Sequence, residues 1–386
     1  MSKISVKNFG PIKNVSLDLG DLTILLGAQA SGKSLLLQMF KLAKDRKSIV
    51  KRLDNYGFVV KGNADNLLNR YLGEGLSSMW HDDTSLLVDG VNFKSKDSLV
   101  KNPAKEIVDK VFYIPAQRIL SISDGRPKNF MEFWENDPYV LRSFSETLRL
   151  FVQNGMNGSN VIYPLTYRLK GTVRKMFDKS IFHGGKVVME DKGGQRKIAM
   201  QVDNINLPLM TWSAGQKEFL PLLLAFYCLS GPVQNVVNPK QYEYVIIEEP
   251  EMGLHPQAIQ TIILQVIEFI HNGYKVIIST HSPVLLEFVW AYNELKKLPE
   301  KCQLTAICDL FQLSSKSATR EIFNDVFDKS IKTYFFSRKD DRVVSTDISS
   351  LDVNSVDPDV FEWGGLTQFS SHVNDIVAKY VSEYGE

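Results

Sequence analysis

Eight consecutive residues, 27–34, match the pattern G-x-x-x-x-G-K-[ST] between an apolar run at residues 22–26 and a helical pattern that starts at Leu35. In such a loop the glycines allow backbone N–H groups to surround phosphates, and the start of the helix adds partial positive charge. We expect Lys33 to reach the β- and γ-phosphates of a nucleotide and Ser34 to bind Mg²⁺. The alternative is a glycine-rich turn beside an exposed lysine. All eight residues are predicted nucleotide contacts: Gly27, Ala28, Gln29, Ala30, Ser31, Gly32, Lys33 and Ser34.

Two adjacent carboxylates, Glu248 and Glu249, follow a second apolar strand at residues 244–247. This position is the edge of the sheet at which open α/β folds bind ligands. Two neighbouring carboxylates at a buried strand end are unfavourable unless a cation compensates them. We expect Glu248 to bind Mg²⁺, directly or through water, and Glu249 to position and deprotonate an attacking water. Without the phosphate loop, the alternative interpretation of the pair is a solvated strand end.

His281 follows a third apolar strand, residues 276–278. A single histidine at a strand end is usually structural. Here the strand should neighbour the one that ends at Glu249, because both belong to one strand, helix, strand unit of a parallel sheet. The sequence therefore predicts that His281 contacts the γ-phosphate.

The segment Ser213-Ala214-Gly215-Gln216 has the form of a capping box, with serine at the N-cap and glutamine at N3 of an apolar helix. By themselves these residues indicate only a capped helix.

The elements that hold these groups are predicted from the spacing of apolar residues. Alternation on both sides of Gly10-Pro11 predicts an antiparallel pair of strands, and Asp89-Gly90 and Gly193-Gly194 predict two hairpins. Residues 110–114 form a further apolar strand. Apolar residues three or four apart predict a helical lobe over residues 130–180, beginning with Phe130, Phe133 and Trp134.

The composition argues against a disordered, collagen-like or membrane-spanning chain. The 386 residues are 44% hydrophobic and 23% charged, with a net charge of +1, which is typical of a globular chain without a global affinity for polyanions. Three cysteines without a Cys-x-x-Cys pair predict neither a disulfide framework nor a metal site, and favour a cytoplasmic location. No apolar run approaches the length that crosses a bilayer, so no membrane association is expected.

The order of these motifs is similar to that of an ABC-type ATPase head. The chain resembles the SMC/RecF/OLD-like branch of that superfamily, especially the compact AAA-like ATPases of bacterial defence operons. Three further segments, residues 8–12, 113–118 and 249–256, carry the resemblance, which extends from residue 3 to about residue 290. It implies an α/β fold: a P-loop NTPase with a mixed sheet that has a parallel core, an antiparallel β subdomain and a helical lobe.

The resemblance also implies ATP and Mg²⁺ as ligands and assigns further roles. Ser213 and Gly215, with Gln216 in the same nucleotide-binding set, would contact the γ-phosphate held by a partner chain. Gln117 would lie near Mg²⁺ and the attacking water. The sequence departs from the usual ABC pattern at Ala214, Glu248 and His255, which puts transporter-like coupling in doubt rather than ATP binding.

Each motif occurs once, so the resemblance implies a head-to-tail homodimer with two shared ATP sites, which could assemble further into a higher oligomer. The predicted organisation is residues 1–116 as the first part of the ATPase lobe with the phosphate loop, 117–240 as the helical and signature lobe, 241–295 as the second part of the ATPase core, and 296–386 as an acidic extension.

Two regions of opposite charge are candidate partner surfaces. Residues 168–197, here called the basic lobe, have a net charge of +6, and residues 340–386 a net charge of −8. The Asp-x-Asp sequence beyond the head, Asp357 and Asp359, follows no apolar strand, so it does not match the metal-binding motif of a nuclease.

The leading hypothesis is an ATPase that acts as a sensor or gate for a separately encoded effector in a bacterial anti-phage complex. The alternatives are a RecF/SMC-like DNA-repair ATPase that binds nucleic acid, and a scaffold that binds ATP with negligible turnover.

Overall fold

The computed structural model describes residues 2–156, 158–233, 236–314, 318–352, 354–366, 372–373 and 376–378. The strands in these residues are β1 (Ser2–Phe9), β2 (Ile12–Leu19), β3 (Leu22–Gly27), β4 (Trp80–Val88), β5 (Val91–Phe93), β6 (Val111–Ile114), β7 (Ile122–Ser123), β8 (Arg126–Pro127), β9 (Val161–Tyr163), β10 (Lys186–Lys192), β11 (Gln195–Val202), β12 (Ile205–Pro208), β13 (Tyr244–Glu248), β14 (Lys275–Ser279), β15 (Ile331–Lys339) and β16 (Arg342–Asp347). The α-helices are α1 (Lys33–Asn55), α2 (Ala64–Leu72), α3 (Tyr139–Asn154), α4 (Gly171–Phe177), α5 (Ala214–Ser230), α6 (Pro256–His271), α7 (Pro283–Leu295), α8 (Glu300–Leu310) and α9 (Pro358–Phe361).

The central sheet has the strand order β5-β4-β1-β2-β16-β15-β3-β14-β13-β6. Strands β6, β13, β14, β3 and β15 pair in parallel with one another in that order, whereas β15 pairs antiparallel with β16, and β1, β2, β4 and β5 form an antiparallel wing. The mixed sheet with a parallel core is the fold expected from the sequence. Because the core strands are parallel, the loops after β3, β6, β13 and β14 leave the sheet at one common edge.

Both faces of the parallel core are covered by helices, which explains the uninterrupted apolar runs of its strands. In β3, Leu22, Ile24 and Leu26 face a core that includes residues of α5 and α6, whereas Leu25 faces a second core that includes residues of α1. All residues of β3 and β13 are buried. The backbone at the ends of these strands is thereby held rigidly in place.

The sheet continues beyond the boundary predicted at residue 295. Strand β15 pairs in parallel with β3, and β16 pairs in parallel with β2, so this C-terminal hairpin lies between the antiparallel wing and the parallel core. Sequence order did not indicate this position, since strands that are distant in the chain can be neighbours in a sheet. Part of the predicted acidic extension is therefore integral to the central sheet, and its remainder includes residues outside the described ones.

A lobe with its own four-stranded sheet, β12-β11-β10-β9, precedes α5. The predicted hairpin around Gly193 and Gly194 is present as β10 and β11. The lobe is less helical than its apolar spacing suggested: Phe130, Phe133 and Trp134 precede α3 in irregular backbone, and β9 was not predicted. Phe130 and Phe133 are buried, but Trp134 is 84% exposed, so the spacing there reflects local packing rather than a helix face.

Candidate active site

The phosphate loop joins the end of β3 to the start of α1, as the sequence predicts. Gly27 has φ of +145°, and a Cβ at this position would lie 2.3 Å from the carbonyl oxygen of Phe336 on β15. Gly32 precedes α1 with φ of +79°, in the left-handed region that favours glycine. Glycine is therefore required at Gly27 by the neighbouring strand and at Gly32 by the turn into the helix, which directs the N-terminus of α1 toward the loop.

The side chain of Lys33, which is expected to reach the phosphates of a nucleotide, is folded back onto its own loop in this structure. It is 5% exposed, and its Nζ donates hydrogen bonds to the carbonyl oxygens of Gly27 (2.7 Å) and Ala28 (3.0 Å) and to Oγ of Ser31 (3.2 Å). Burial lowers the pKa of Lys33, and the nearby carboxylates of Glu249, Glu251 and Glu248 oppose that shift. The ammonium group is thus held beside the loop by three oxygen acceptors and a negative field.

Glu248 is the last residue of β13 and is 4% exposed. Its Oε2 accepts a hydrogen bond from the Ala116 N–H at 3.2 Å, while its buried Oε1 has no hydrogen-bond partner among the described residues. Burial raises the pKa of Glu248, and the nearby Ser34 hydroxyl and the Ala116 N–H oppose that rise. A buried carboxylate oxygen without a partner, next to a serine hydroxyl, is a ligand set suited to Mg²⁺. The residues present therefore fit the predicted metal.

Glu249 and His281 are brought together because β13 and β14 are adjacent and parallel. Oε1 of Glu249 lies 2.9 Å from Nε2 of His281. Burial raises the pKa of Glu249, and Glu251 adds to the rise, whereas His281 and Lys33 lower it. A carboxylate with a raised pKa that is oriented by a histidine has the properties of a general base.

A cleft lies against the phosphate loop. Its volume of about 380 Å³ is within the usual range for ligand sites. Glu249 and His281 form part of its lining, and Leu72, Leu76 and Met79 supply apolar surface. The described lining also includes the following residues of the loop and of α1: Gln29, Ala30, Ser31, Gly32, Lys33, Ser34, Leu35 and Gln38.

Three residues near this cleft were not predicted from the sequence. Gln38 lies one turn after Ser34 on α1, and its buried Oε1 has no partner among the described residues. Glu251 accepts hydrogen bonds at Oε1 from the Thr280 hydroxyl and the His281 N–H, both at 2.7 Å. Arg118 is fully buried and donates to backbone carbonyls behind Glu249. The helical spacing from Ser34 could have indicated Gln38; the other two depend on contacts between distant segments.

Gln117 and the signature segment, residues 213–216, do not line this cleft in the described structure. Gln117 is exposed, and its neighbour Ala116 contacts Glu248. The capping box is formed, with the Ser213 N–H donating to Oε1 of Gln216 and the Gln216 N–H donating to Oγ of Ser213. Nε2 of Gln216 donates to the carbonyl of Ile181, so this side chain is used within the lobe. The ligand roles of Gln117, Ser213, Gly215 and Gln216 remain predictions.

The basic lobe is less basic at its surface than its sequence indicates. Arg168 is 3% exposed and donates to the carbonyls of Tyr227 and Gly155, and Arg174 donates to those of Thr166 and Leu169. Salt bridges join Lys170 to Glu321 and Lys197 to Asp124. The exposed basic residues are Lys175, Lys179, Lys186, Lys192 and Arg196.

Among the helices of the described residues, none combines the length and apolar composition needed to cross a bilayer.

Two protein-family models match successive parts of the chain. The model described as "AAA ATPase domain" matches residues 1–122, and the model described as "AAA domain, putative AbiEii toxin, Type IV TA system" matches residues 120–287. The Old nuclease of Escherichia phage P2 is 21% identical over 344 residues, which cover 77% of this chain and 58% of the nuclease. The chain thus spans less than two thirds of that relative.

Solved structures similar to the chain include the SMC head domain from Thermotoga maritima, with a TM-score of 0.39, 10% identity, and coverage of 89% of this chain and 97% of that chain. A dimeric bacterial ABC transporter cassette has a TM-score of 0.34 and 14% identity, with coverage of 74% of this chain and 90% of that chain.

Proposed function

We propose that this SMC/OLD-like ABC-type ATPase chain binds and hydrolyses ATP in the cleft at the phosphate loop. The observation that carries this proposal is the pairing of Glu249 with His281, 2.9 Å apart, in the same cleft as Lys33 and Ser34. A phosphate-binding loop and a residue that positions or deprotonates the attacking water are groups that phosphoryl transfer to water uses.

Each group has a distinct task in the proposed reaction. The N-terminus of α1 and the N–H groups of the loop bind the phosphates, and Lys33 exchanges its carbonyl contacts for phosphate oxygens. Ser34 and Glu248 would hold Mg²⁺, which would neutralise charge on the phosphates when bound. Glu249 accepts the proton of the attacking water, while the hydrogen bond from His281 keeps its carboxylate directed into the cleft.

We also propose that two chains share each ATP site. Ser213 is exposed at the N-terminus of α5, outside the cleft of its own chain, so a serine and a helix N-terminus remain available to phosphates held by a second copy. A head-to-tail dimer with two-fold symmetry would bring each signature segment onto the partner's phosphate loop and close two sites at once.

The proposed biological role is a cytoplasmic sensor or gate for a separately encoded effector in anti-phage defence. The description of the matching family model, which names a putative AbiEii toxin and a Type IV toxin–antitoxin system, supports a role in defence. Binding of nucleic acid is the second candidate, supported by the five exposed basic residues of the basic lobe.

The test is steady-state ATP turnover by the purified chain, compared with its Glu249→Gln and Glu243→Gln variants. Glu243 precedes β13, at the strand end remote from Glu248, and forms an exposed salt bridge with Lys110, so Glu243→Gln makes the same chemical change away from the cleft. We expect Glu249→Gln to lose about 10²- to 10⁴-fold in kcat and Glu243→Gln to match the wild type. Equal turnover in all three proteins would contradict the proposed chemistry.

A further inference from the structure

Arg118 occupies an unusual position for a charged residue, since its side chain is completely buried in the segment that follows β6. Its guanidinium donates four hydrogen bonds to backbone carbonyls: Nε to Glu218 at 3.1 Å, Nη1 to Glu248 at 3.2 Å and to Glu249 at 3.1 Å, and Nη2 to Pro250 at 3.5 Å. One side chain thus connects α5 with the end of β13 and the turn that follows.

A buried arginine is costly unless its donors are satisfied and its charge is compensated. Burial lowers the pKa of Arg118, and the carboxylates of Glu218, Glu251 and Glu249 oppose that shift. The rigid fork of the guanidinium can hold several carbonyls in a fixed arrangement, which a lysine ammonium on a flexible stem cannot do. The contacts are therefore specific to arginine.

The backbone that Arg118 holds is the backbone of the proposed base. Glu249 has φ of +45°, in a region that residues other than glycine rarely adopt. Its N–H donates to the carbonyl of Ser279 at 2.8 Å, and its own carbonyl accepts from Arg118. These two contacts fix the conformation that turns the Glu249 side chain toward His281, because such a conformation persists only where its surroundings enforce it.

Arg118 also contacts the first turns of α5, the helix that begins within the signature segment. Besides the Arg118 contact with Glu218, Gly215 packs so closely on the turn after Glu249 that a Cβ would lie 2.6 Å from the carbonyl oxygen of Gly253. A displacement of the start of α5 is thereby opposed at two points next to Glu249.

We propose that Arg118 is a positioning residue that holds Glu249 in its catalytic orientation and couples that orientation to the position of α5. The inference rests on the proposed ATPase function. Contact of the signature segment with a partner's nucleotide would then change the orientation of Glu249 in its own chain through α5 and Arg118. Arg118 touches neither nucleotide nor water in this scheme and acts only through the backbone of residues 248–250.

The test compares Arg118→Lys with Arg168→Lys. Arg168 is the matched control, because it is also buried and donates to backbone carbonyls, at Tyr227 and Gly155, but lies away from the cleft. We expect Arg118→Lys to lower kcat about 10- to 100-fold with KM for ATP changed less than about threefold, because a small misplacement of a catalytic group costs that much. Arg168→Lys should leave kcat unchanged. Arg118→Gln, which introduces no buried charge, serves as the second variant if Arg118→Lys fails to fold.

A double variant separates positioning of the base from other effects. If Arg118 acts through Glu249, then Arg118→Lys should cause no further loss of kcat in the Glu249→Gln background. An additive loss, an unchanged kcat in a folded Arg118 variant, or an equal loss of kcat and ATP affinity would each overturn the inference while leaving the ATPase proposal standing. Absence of turnover in the wild type would instead overturn the proposed function, and this inference with it.

Discussion

Oε1 of Glu249 lies 2.9 Å from Nε2 of His281, where two neighbouring parallel strands end at the same edge of the sheet. The same histidine donates its backbone N–H to Glu251, whose Oε1 also accepts from the Thr280 hydroxyl. The two strand ends are thus joined by side-chain contacts in both directions: His281 to the carboxylate of Glu249, and Glu251 to the backbone of His281. This arrangement leads to a prediction for the pH dependence of the proposed reaction.

The acid limb of the pH profile of kcat should lie above the ordinary glutamate pKa of 4.5, because burial raises the pKa of Glu249 and the base must be deprotonated to act. His281 lowers that pKa, so its removal raises it further. We therefore expect His281→Gln to move the acid limb to higher pH in addition to lowering kcat. The measurement is kcat against pH for both proteins. A limb that moves to lower pH in His281→Gln would contradict the assigned electrostatics.

Glu248→Gln should raise the Mg²⁺ concentration needed for half-maximal turnover by about 10- to 100-fold, because it removes the negative charge of a buried group assigned to the metal. Binding of ATP without Mg²⁺ should be nearly unchanged. Titration of turnover with MgCl₂ checks this, with Glu243→Gln as the control for the same amide substitution. If Glu248→Gln, rather than Glu249→Gln, accumulates ATP with Mg²⁺ still bound, the two glutamates have exchanged roles.

Lys33→Ala should abolish ATP binding, because it removes the cation assigned to the β- and γ-phosphates. The fold should survive, although the carbonyls of Gly27 and Ala28 lose their partner. Calorimetric titration with ATP and a thermal unfolding curve separate the two effects. Lys47→Ala, at an exposed position of the same helix, is the control. Equal ATP affinity in Lys33→Ala would refute the assignment of the phosphate loop.

Ser213→Arg should block turnover, since a large cation replaces the serine proposed to meet the partner's γ-phosphate. It also removes a helix cap, which costs about 0.5 to 2 kcal/mol of stability. Ser213→Asn keeps a good N-cap residue and controls for that loss. Mixing Ser213→Arg with Lys33→Ala chains should restore about one intact composite site per heterodimer. Full activity of Ser213→Arg alone would contradict the shared site.

Reversal of charge at Lys175 and Lys179 should weaken assembly of the chain with its partners at low salt without changing ATP affinity, because both residues are exposed and lie outside the cleft. Arg174 is left intact, as its guanidinium caps the carbonyls of Thr166 and Leu169. Light scattering of the ATP-bound protein over a range of NaCl concentrations measures self-assembly, and a labelled DNA duplex measures the nucleic-acid alternative. If both assembly and DNA binding are unchanged, Lys175 and Lys179 are not part of a surface that binds partners or DNA.

The sequence alone determined the features that depend on local spacing. The unit from Leu22 to Ser34 was predicted as strand, phosphate loop and helix, and the structure has β3, the loop at residues 28–32 and then α1. The capping box of Ser213 and Gln216 and the parallel pair formed by β13 and β14 were likewise predicted. The sequence also placed Glu249 and His281 on neighbouring strands that end at the same edge, whereas their direct contact was seen only in the structure.

Only the tertiary structure decided the features that depend on contacts between distant segments. It placed β15 beside β3, so that Phe336 restricts Gly27, and it buried Arg118 against the backbone of Glu249. It also showed that Lys33 folds onto its own loop and that Arg168 faces the interior. The physical reason is the same in each case: a residue's type and local spacing indicate which interactions it can make, but which partner it meets depends on how the sheet brings distant segments together.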